Sequence, residues 1–215
     1  MICPICQKRK AKRFCPGKTQ SICSVCCGTE REVTIDCPSD CPHLVASREH
    51  DYERREIDRS QLPFPDAKIA VAFLAAHEDL VLQLSYAICL YARDNSALVD
   101  SDVIAALQSL AEAYRTLASG IVYENPPDYH IQRELYQAVQ MGIEQYKRGE
   151  GRDRVVASAH NVHNGDIRDV LVFLTQLGAS RSNGRPKGRA YLDFLRTGFL
   201  PGVFSKPASG IVLLS

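Results

Sequence analysis

The chain has 215 residues, of which 45% are hydrophobic and 24% are charged, and its formal net charge is +1. These values are close to the average of soluble globular proteins, so the chain can bury a sizeable core in one domain with a small appendage or in two modest domains. The net charge neither favours nor excludes a polyanionic partner, because the sum hides local patches. The sequence has no secretory signal and no apolar run of about 18 residues, so we expect a soluble cytoplasmic protein.

Residues 1–44 contain eight of the nine cysteines, which indicates a metal-binding module. In a reducing compartment, clustered cysteines are more often metal ligands than disulfide partners. Two pairs have the spacing Cys-x2-Cys, at which both thiolates can reach one tetrahedral zinc ion. Metal binding would also supply the folding free energy that so short and polar a segment lacks. We therefore predict two structural zinc ions with eight ligands, namely Cys3, Cys6, Cys15, Cys23, Cys26, Cys27, Cys37 and Cys41.

Two alternatives to zinc remain for this module. The cysteines can be reduced thiols without metal, or they can hold an iron–sulfur cluster. The second is disfavoured because no ferredoxin-type Cys-x2-Cys-x2-Cys run is present.

Three short segments of the module are similar to a known family, namely Cys3-Pro-Ile-Cys6, Arg13-Phe14-Cys15-Pro16 and Ile22-Cys23-Ser24-Val25-Cys26. They resemble the HIT-type zinc finger and its MYND relative, in which the first and third ligand pairs share one zinc ion and the second and fourth pairs share the other. The resemblance implies that Cys3, Cys6, Cys23 and Cys26 bind one ion. It also implies a protein- or nucleoprotein-interaction module without catalysis.

The second predicted site departs from that family. Lys18 stands where a second cysteine of the Cys15 pair is expected, and Cys37-x3-Cys41 replaces the closing His-x3-Cys. Cys27 can substitute for the missing ligand, which gives the set Cys15, Cys27, Cys37 and Cys41. His43 and His50 are spare candidates, although a surface histidine without a ligand role is the simpler interpretation of each.

Two basic clusters are candidates for contact with phosphates. The first precedes the earliest acidic residue, Glu30, and the second lies in a loop with Gly and Pro whose backbone a nucleic-acid strand can approach closely. The second cluster can also form an anion nest at a helix N-terminus. The alternative for the first cluster is that it only neutralises the negative charge of the zinc thiolates. The two clusters are Lys8, Arg9, Lys10, Lys12, Arg13 and Lys18, and then Arg181, Arg185, Lys187 and Arg189.

The rest of the chain is predicted to be helical. Residues 45–62 are dense in charge of both signs and predict a solvated connecting helix that the prolines at 63 and 65 end. Apolar residues then recur at spacings of three and four in 66–93, 101–123, 127–149 and 164–178, with Ser101 or Asp100 as an N-cap and Gly178 as a stop. A short helix over 190–196 follows.

These elements predict a mainly α fold, in which a small N-terminal two-zinc module is followed by an antiparallel helical bundle. The module covers 1–44, the connecting helix 45–62 and the bundle 63–197. Residues 198–215 are expected to form an extended tail.

Other chemistry is weakly indicated. His160 and His163 are spaced like metal ligands and precede Asp166 and Asp169, but a polar loop that caps the next helix is the simpler interpretation. Cys89 is interpreted as a small buried apolar side chain. Since the predicted zinc sites have only protein ligands, they leave no position for a reactive water.

We therefore expect a non-enzymatic zinc-finger adaptor that mediates contacts between proteins. A nucleic-acid-associated protein that uses clusters 8–18 and 181–189 is the second hypothesis. An enzyme with a site near His160 and His163 is the third.

Overall fold

A computed structural model describes residues 1–120, 125–150 and 162–205 of the chain. In these ranges the protein is mainly helical, and a small cysteine-rich module precedes a set of packed helices. This confirms the predicted fold class. No helix in the described ranges is long and apolar enough to cross a membrane.

The N-terminal module is built on a short antiparallel hairpin. Strand β1 (Arg13–Cys15) pairs with β2 (Gln20–Ile22), and helix α1 (Ser24–Glu30) follows directly. Gly17 lies in the turn of the hairpin, and a Cβ atom there would collide with the backbone carbonyl of Asp36. The turn therefore needs glycine because the segment after α1 packs directly against it.

The connecting helix differs from the prediction. Helix α2 covers Pro42–Arg54, so it begins earlier than expected and ends well before residue 62. Pro42 is the first residue of α2. Proline is favourable at this position because its fixed φ fits the first turn of a helix and because its missing N–H would have no partner within the helix there. Leu44 is its one buried residue, so little tertiary packing supports a longer helix. A short 3-10 turn, Arg59–Gln61, lies in the segment that follows.

Six helices form the body of the described protein. They are α3 (Val71–Ala76), α4 (Glu78–Asp94), α5 (Asp100–Ala118), α6 (His130–Lys147), α7 (Asn164–Arg181) and α8 (Ala190–Thr197). Helix α5 packs against α6 and α7, and α4 packs against α6. The prediction of a single helix over 66–93 is wrong. The backbone leaves helical geometry at His77, and this break separates α3 from α4.

Two sequence signals at helix ends have a different role from the predicted one. Helix α5 is capped by Asp102, whose carboxylate accepts the backbone N–H of Val99, and neither Ser101 nor Asp100 is the N-cap. Gly178 does not end α7, which continues to Arg181. A Cβ atom at Gly178 would lie 2.8 Å from the ring of Tyr191, so this glycine permits close packing of α7 against α8.

The protein has two separate apolar cores. The core of the helical body is formed by side chains from α4 to α8 and includes Leu84, Ile88, Val103, Leu107, Leu110, Leu135, Val139, Ile143, Val170 and Leu174. The core of the module is small and consists largely of thiols. Its buried members are Cys3, Cys15, Ile22, Cys23, Cys26 and Ile35.

Candidate metal centre

Four cysteines of the module converge on one point. The Sγ atoms of Cys3, Cys6, Cys23 and Cys26 all lie within 4.8 Å of one another, and those of Cys6 and Cys23 are 3.9 Å apart. A tetrahedral zinc ion with Zn–S bonds of about 2.3 Å holds its sulfur ligands about 3.8 Å apart. The predicted first ligand set is therefore gathered at close to the separation that zinc requires.

The local backbone explains why these thiols converge. Cys3 and Cys6 flank a tight turn in which the N–H of Gln7 donates to the carbonyl of Cys3 at 2.8 Å, and Gln7 has a φ of +52°. Cys23 is the N-cap of α1, and its Sγ accepts the backbone N–H of Cys26 at 3.4 Å. A turn and a helix N-terminus thus present one Cys-x2-Cys pair each.

The negative charge of four thiolates in this cluster would be stabilised by a bound cation. Backbone N–H groups of Lys8 and Arg9 donate to Cys6 and lower the pKa of that thiol to about 6. Burial, together with the neighbouring thiols, raises the pKa of Cys26 to about 12. Four thiolates cannot share this small volume unless a metal ion offsets their charge, and a bound divalent ion deprotonates a coordinating thiol outright. The donor set fits a structural zinc site, in which four protein ligands fill the tetrahedron.

The second predicted ligand set is not gathered in the same way. In the described ranges, the Cys3 cluster is the one group of three or more ligand side chains whose donor atoms lie close enough together to share a metal ion. Burial raises the pKa of Cys37, and the nearby thiols of Cys15 and Cys41 add to this effect. Cys27 instead accepts a hydrogen bond from the guanidinium of Arg31 at 3.8 Å. A second zinc ion therefore stays a prediction.

Sequence reasoning missed the residue that docks the module on the helical body. Glu32 is only 1% exposed, and its carboxylate pairs with Arg48 of α2 at 2.6 Å and accepts the side-chain N–H of Asn183 at 2.7 Å. Its backbone carbonyl accepts the N–H of Lys187 at 2.8 Å. No local sequence signal distinguishes Glu32, because its partners lie in α2 and in the segment between α7 and α8.

The second basic cluster belongs to the same docking contact. Arg185 donates to the carbonyls of Gly28 and Arg31, and Lys187 donates to that of Thr34. Arg189 pairs with Asp36 at 2.5 Å. Three of the four predicted phosphate-contacting cations therefore bind the cysteine-rich module itself, whereas Arg181 lies over the rings of Tyr52 and Phe194.

The first basic cluster has no such partners. None of its six cations forms an ion pair or a side-chain hydrogen bond within the part of the chain that the structure describes. Phe14 lies in the middle of the cluster and is 63% exposed. Exposure alternates over residues 10–15, which end in β1, so that Lys10, Lys12 and Phe14 are exposed, Ala11 and Arg13 are half-buried and Cys15 is buried.

The remaining candidates have simpler environments. His160 lies outside the described residues, and His163 is the N-cap of α7, where its backbone N–H donates to Asp166 at 2.9 Å. The imidazole of His50 is exposed beside Asp51. Cys89 is fully buried in the helical core, as expected, and burial raises the pKa of its thiol to about 12.

Comparison with known proteins adds no family to this description. Neither the protein-family models, nor the curated proteins, nor the solved structures contain a significant match to the chain. Function has to be inferred from the residues themselves.

Proposed function

We propose that the protein is a non-catalytic adaptor, in which a zinc finger carried on a helical body binds a partner protein. The observation that carries the proposal is the unusual apolar exposure of the module. Six of the fourteen exposed large hydrophobic side chains in the described ranges fall in residues 1–44, and they include Ile2, Ile5, Phe14 and Val25. Apolar side chains that a small module leaves exposed are candidates for an interaction surface.

The zinc chemistry supports a structural role. Four thiolates would complete the tetrahedron of a zinc ion at the first site, which would leave no coordination position for substrate or for a reactive water. The docking contacts of Glu32 and Arg185 fix the module on the helices, so a bound partner would meet a rigid surface. Pre-ordered surfaces of this kind avoid the entropy cost of ordering a loop on binding.

The proposal includes a second zinc ion held by Cys15, Cys27, Cys37 and Cys41. Metal analysis of the purified protein is expected to give about two zinc ions per chain, and replacement of Cys6 by Ser to leave about one. A Cys89→Ala variant is the control, because this thiol lies in the helical core and not in the module. A content of one zinc ion in the unmodified protein would limit the proposal to the first site.

The adaptor function is tested by a quantitative pulldown with the intact, zinc-loaded protein. An Ile2→Ser, Phe14→Ser variant is expected to lose the specific partner that the unmodified protein retains. The matched control is Tyr129→Ser, Met141→Ser, which removes two equally exposed apolar side chains from the helical body. If both variants retain the same partners, the module is not the binding surface.

A second candidate function, binding of single-stranded nucleic acid, is favoured by the unpaired first cluster. Proteins that bind single strands combine cations with an aromatic platform for the bases, and exposed Lys10 and Lys12 lie in the segment that leads into β1, where Phe14 is exposed. In a salt-dependent gel shift, replacement of Lys8, Lys10 and Lys12 by Gln should weaken binding and reduce the salt slope by about two to three. Lys68→Gln, at an exposed lysine of the other part of the chain, is the control. Variants of Arg185 to Arg189 are unsuitable here because they disturb docking.

A further inference from the structure

A cleft of about 680 Å³ lies between α2 and the segment that joins α7 to α8. Its volume is in the range of known small-molecule sites, about 300–1,000 Å³. None of the four converging cysteines lines it. Its walls carry five arginines, namely Arg48, Arg54, Arg55, Arg181 and Arg185.

One of these arginines is already neutralised. The guanidinium of Arg48 pairs at 2.6 Å with Glu32 and at 2.6 Å with Asp193. Both carboxylates are fixed by further hydrogen bonds, since Asn183 donates to Glu32 and Ser39 donates to Asp193. Arg48 is therefore part of the docking contact and not available to a ligand.

The other four arginines keep their charge. Arg55 donates to the carbonyls of Ser182 and Ala179, and Arg185 donates to two carbonyls of the zinc module. These bonds hold the two guanidinium groups in place, but a neutral carbonyl does not cancel a full positive charge. Arg54 is exposed and has no hydrogen bond or ion pair to any described residue.

Arg181 is the most specific feature of the cleft. Its Cζ atom lies 4.5 Å from the ring centroid of Tyr52 and 3.9 Å from that of Phe194. These contacts restrict a long side chain, yet no N–H group of Arg181 donates to an acceptor within the described ranges. A guanidinium that is held by aromatic rings and has its donors free is pre-organised to bind an oxyanion with two parallel hydrogen bonds.

The charge balance indicates which oxyanion fits. Two carboxylates, Glu49 and Asp51, also line the cleft, so the four unpaired arginines leave an excess of two positive charges. A carboxylate ligand would neutralise only one of them. A phosphate monoester carries about −1.5 to −2 at neutral pH and has three acceptor oxygens, so it matches the charge and can accept hydrogen bonds from more than one guanidinium.

We propose that this cleft binds the phosphate group of a small phosphorylated molecule, with Arg181 as the bidentate ligand and Arg54 as a second cation at the rim. The proposal goes beyond the adaptor function and does not depend on it, because the cleft is separate from the exposed apolar residues of the module. The two proposals can therefore fail separately. The pulldown tests partner binding, and phosphate titration tests the cleft.

The test is isothermal titration calorimetry of the zinc-loaded full chain with inorganic phosphate, with a nucleoside 5′-monophosphate and with the same nucleoside lacking phosphate. We expect saturable binding of the phosphate probes and none of the nucleoside. Arg181→Gln should weaken binding about tenfold or more, and Arg181→Lys should restore only part of it, because lysine keeps the charge and loses the planar fork. Arg115→Gln, at an exposed arginine of α5, should bind like the unmodified protein.

The two phosphate probes separate the possible sources of the ligand. Equal affinities for both would assign the cleft to free phosphate, and tighter binding of the ester would assign it to a phosphorylated molecule. The proposal is overturned if neither phosphate probe binds saturably, or if Arg181→Gln and Arg115→Gln bind alike. Should Arg181→Gln fail to fold, Arg54→Gln decides, because this exposed side chain has no structural partner and its loss must still weaken phosphate binding.

Discussion

Asp100 shows how one buried side chain couples two helices. It is 1% exposed at the start of α5, and its two carboxylate oxygens accept the backbone N–H groups of Tyr191 and Leu192 in the first turn of α8. Burial raises the pKa of this carboxyl to about 6, although both hydrogen bonds favour the charged form. The Asp100 carboxylate at the start of α5 therefore accepts hydrogen bonds from backbone N–H groups at the N-terminus of α8. Burial of its negative charge makes this arrangement electrostatically costly.

This cost predicts a pH dependence of stability. The pKa of Asp100 is higher in the folded protein than the value of about 3.9 in an unfolded chain, so its contribution is fully present below about pH 4 and is lost as the pH rises through about 6. Asp100→Asn keeps an acceptor oxygen but cannot ionise. Between pH 4 and pH 7 we expect the free energy of unfolding of the variant to gain roughly 2 kcal/mol relative to the unmodified protein.

Urea denaturation at a series of pH values measures this difference. Asp66→Asn, at an exposed carboxyl, is the control for the loss of one negative charge. A constant difference between Asp100→Asn and the unmodified protein over this range would show that burial does not raise the pKa as described.

The sequence predicted some of the important residues and missed others for a physical reason. Cys3, Cys6, Cys23 and Cys26 were identifiable because ligand spacing is a local property that a single tetrahedral ion imposes. Glu32 was not predicted, and Asp100 was predicted only as an N-cap, because the groups that give these residues their observed roles lie far along the chain. The partner of Glu32 in the α7–α8 segment is 151 positions away, and the partners of Asp100 are 91 and 92 positions away.

At the level of the elements, α7 contains two glycines in very different surroundings. A Cβ atom at Gly178 would lie 2.8 Å from Tyr191 and 3.0 Å from Ile104, whereas one at Gly165 would meet nothing within 4 Å. Tyr191 is fully buried, and its hydroxyl donates to the carbonyl of Leu174 at 2.9 Å. It therefore cannot move aside without breaking a buried hydrogen bond.

We expect Gly178→Ala to lower the free energy of unfolding by about 1–3 kcal/mol, because the added methyl group overpacks the contact with α8. Gly165→Ala should be neutral or stabilising by up to about 1 kcal/mol, because alanine favours the helix and fits the open space. Thermal and chemical denaturation of both variants compare the two positions within one helix. Equal effects of the two substitutions would mean that packing against Tyr191 is looser than described.

Helix positions were predictable where a long apolar stripe was present, as in α5, α6 and α7. Prediction failed where tertiary contacts decide the outcome. The break at His77 interrupts an apolar pattern that runs on through α3 and α4, so the spacing alone gave one helix where there are two. The charged residues after Arg54 favour a helix locally, yet α2 ends there. The guanidinium of Arg55 donates hydrogen bonds to carbonyls at the end of α7, so a tertiary contact holds the chain at the point where the helix stops.

At the level of the whole molecule, the two apolar cores share no residue. Removal of zinc with a chelator should therefore unfold the module and leave most of the helical structure intact, because the zinc site supplies the folding free energy of the module alone. We expect a small loss of circular dichroism at 222 nm and rapid tryptic cleavage within residues 1–44. Addition of zinc, but not of magnesium, should reverse both changes.

Two results would contradict this prediction. One is a loss of most of the helical signal together with the metal, which would make the cores a single cooperative unit. The other is an unchanged cleavage pattern in the presence of chelator, which would mean that the fold of the module does not depend on a metal ion.

The long-range contacts of Glu32 also set an order of events during synthesis. The cysteine-rich module precedes the helical body in the chain, so it leaves the ribosome before that body, and with a metal ion it can fold while the helices are still to be made. Its docking partners, Asn183 and Arg185, are added roughly 150 residues later. A chain that stops before residue 182 would thus carry a folded finger with an exposed docking face, and only completion of the last helices would cover the Glu32 carboxylate.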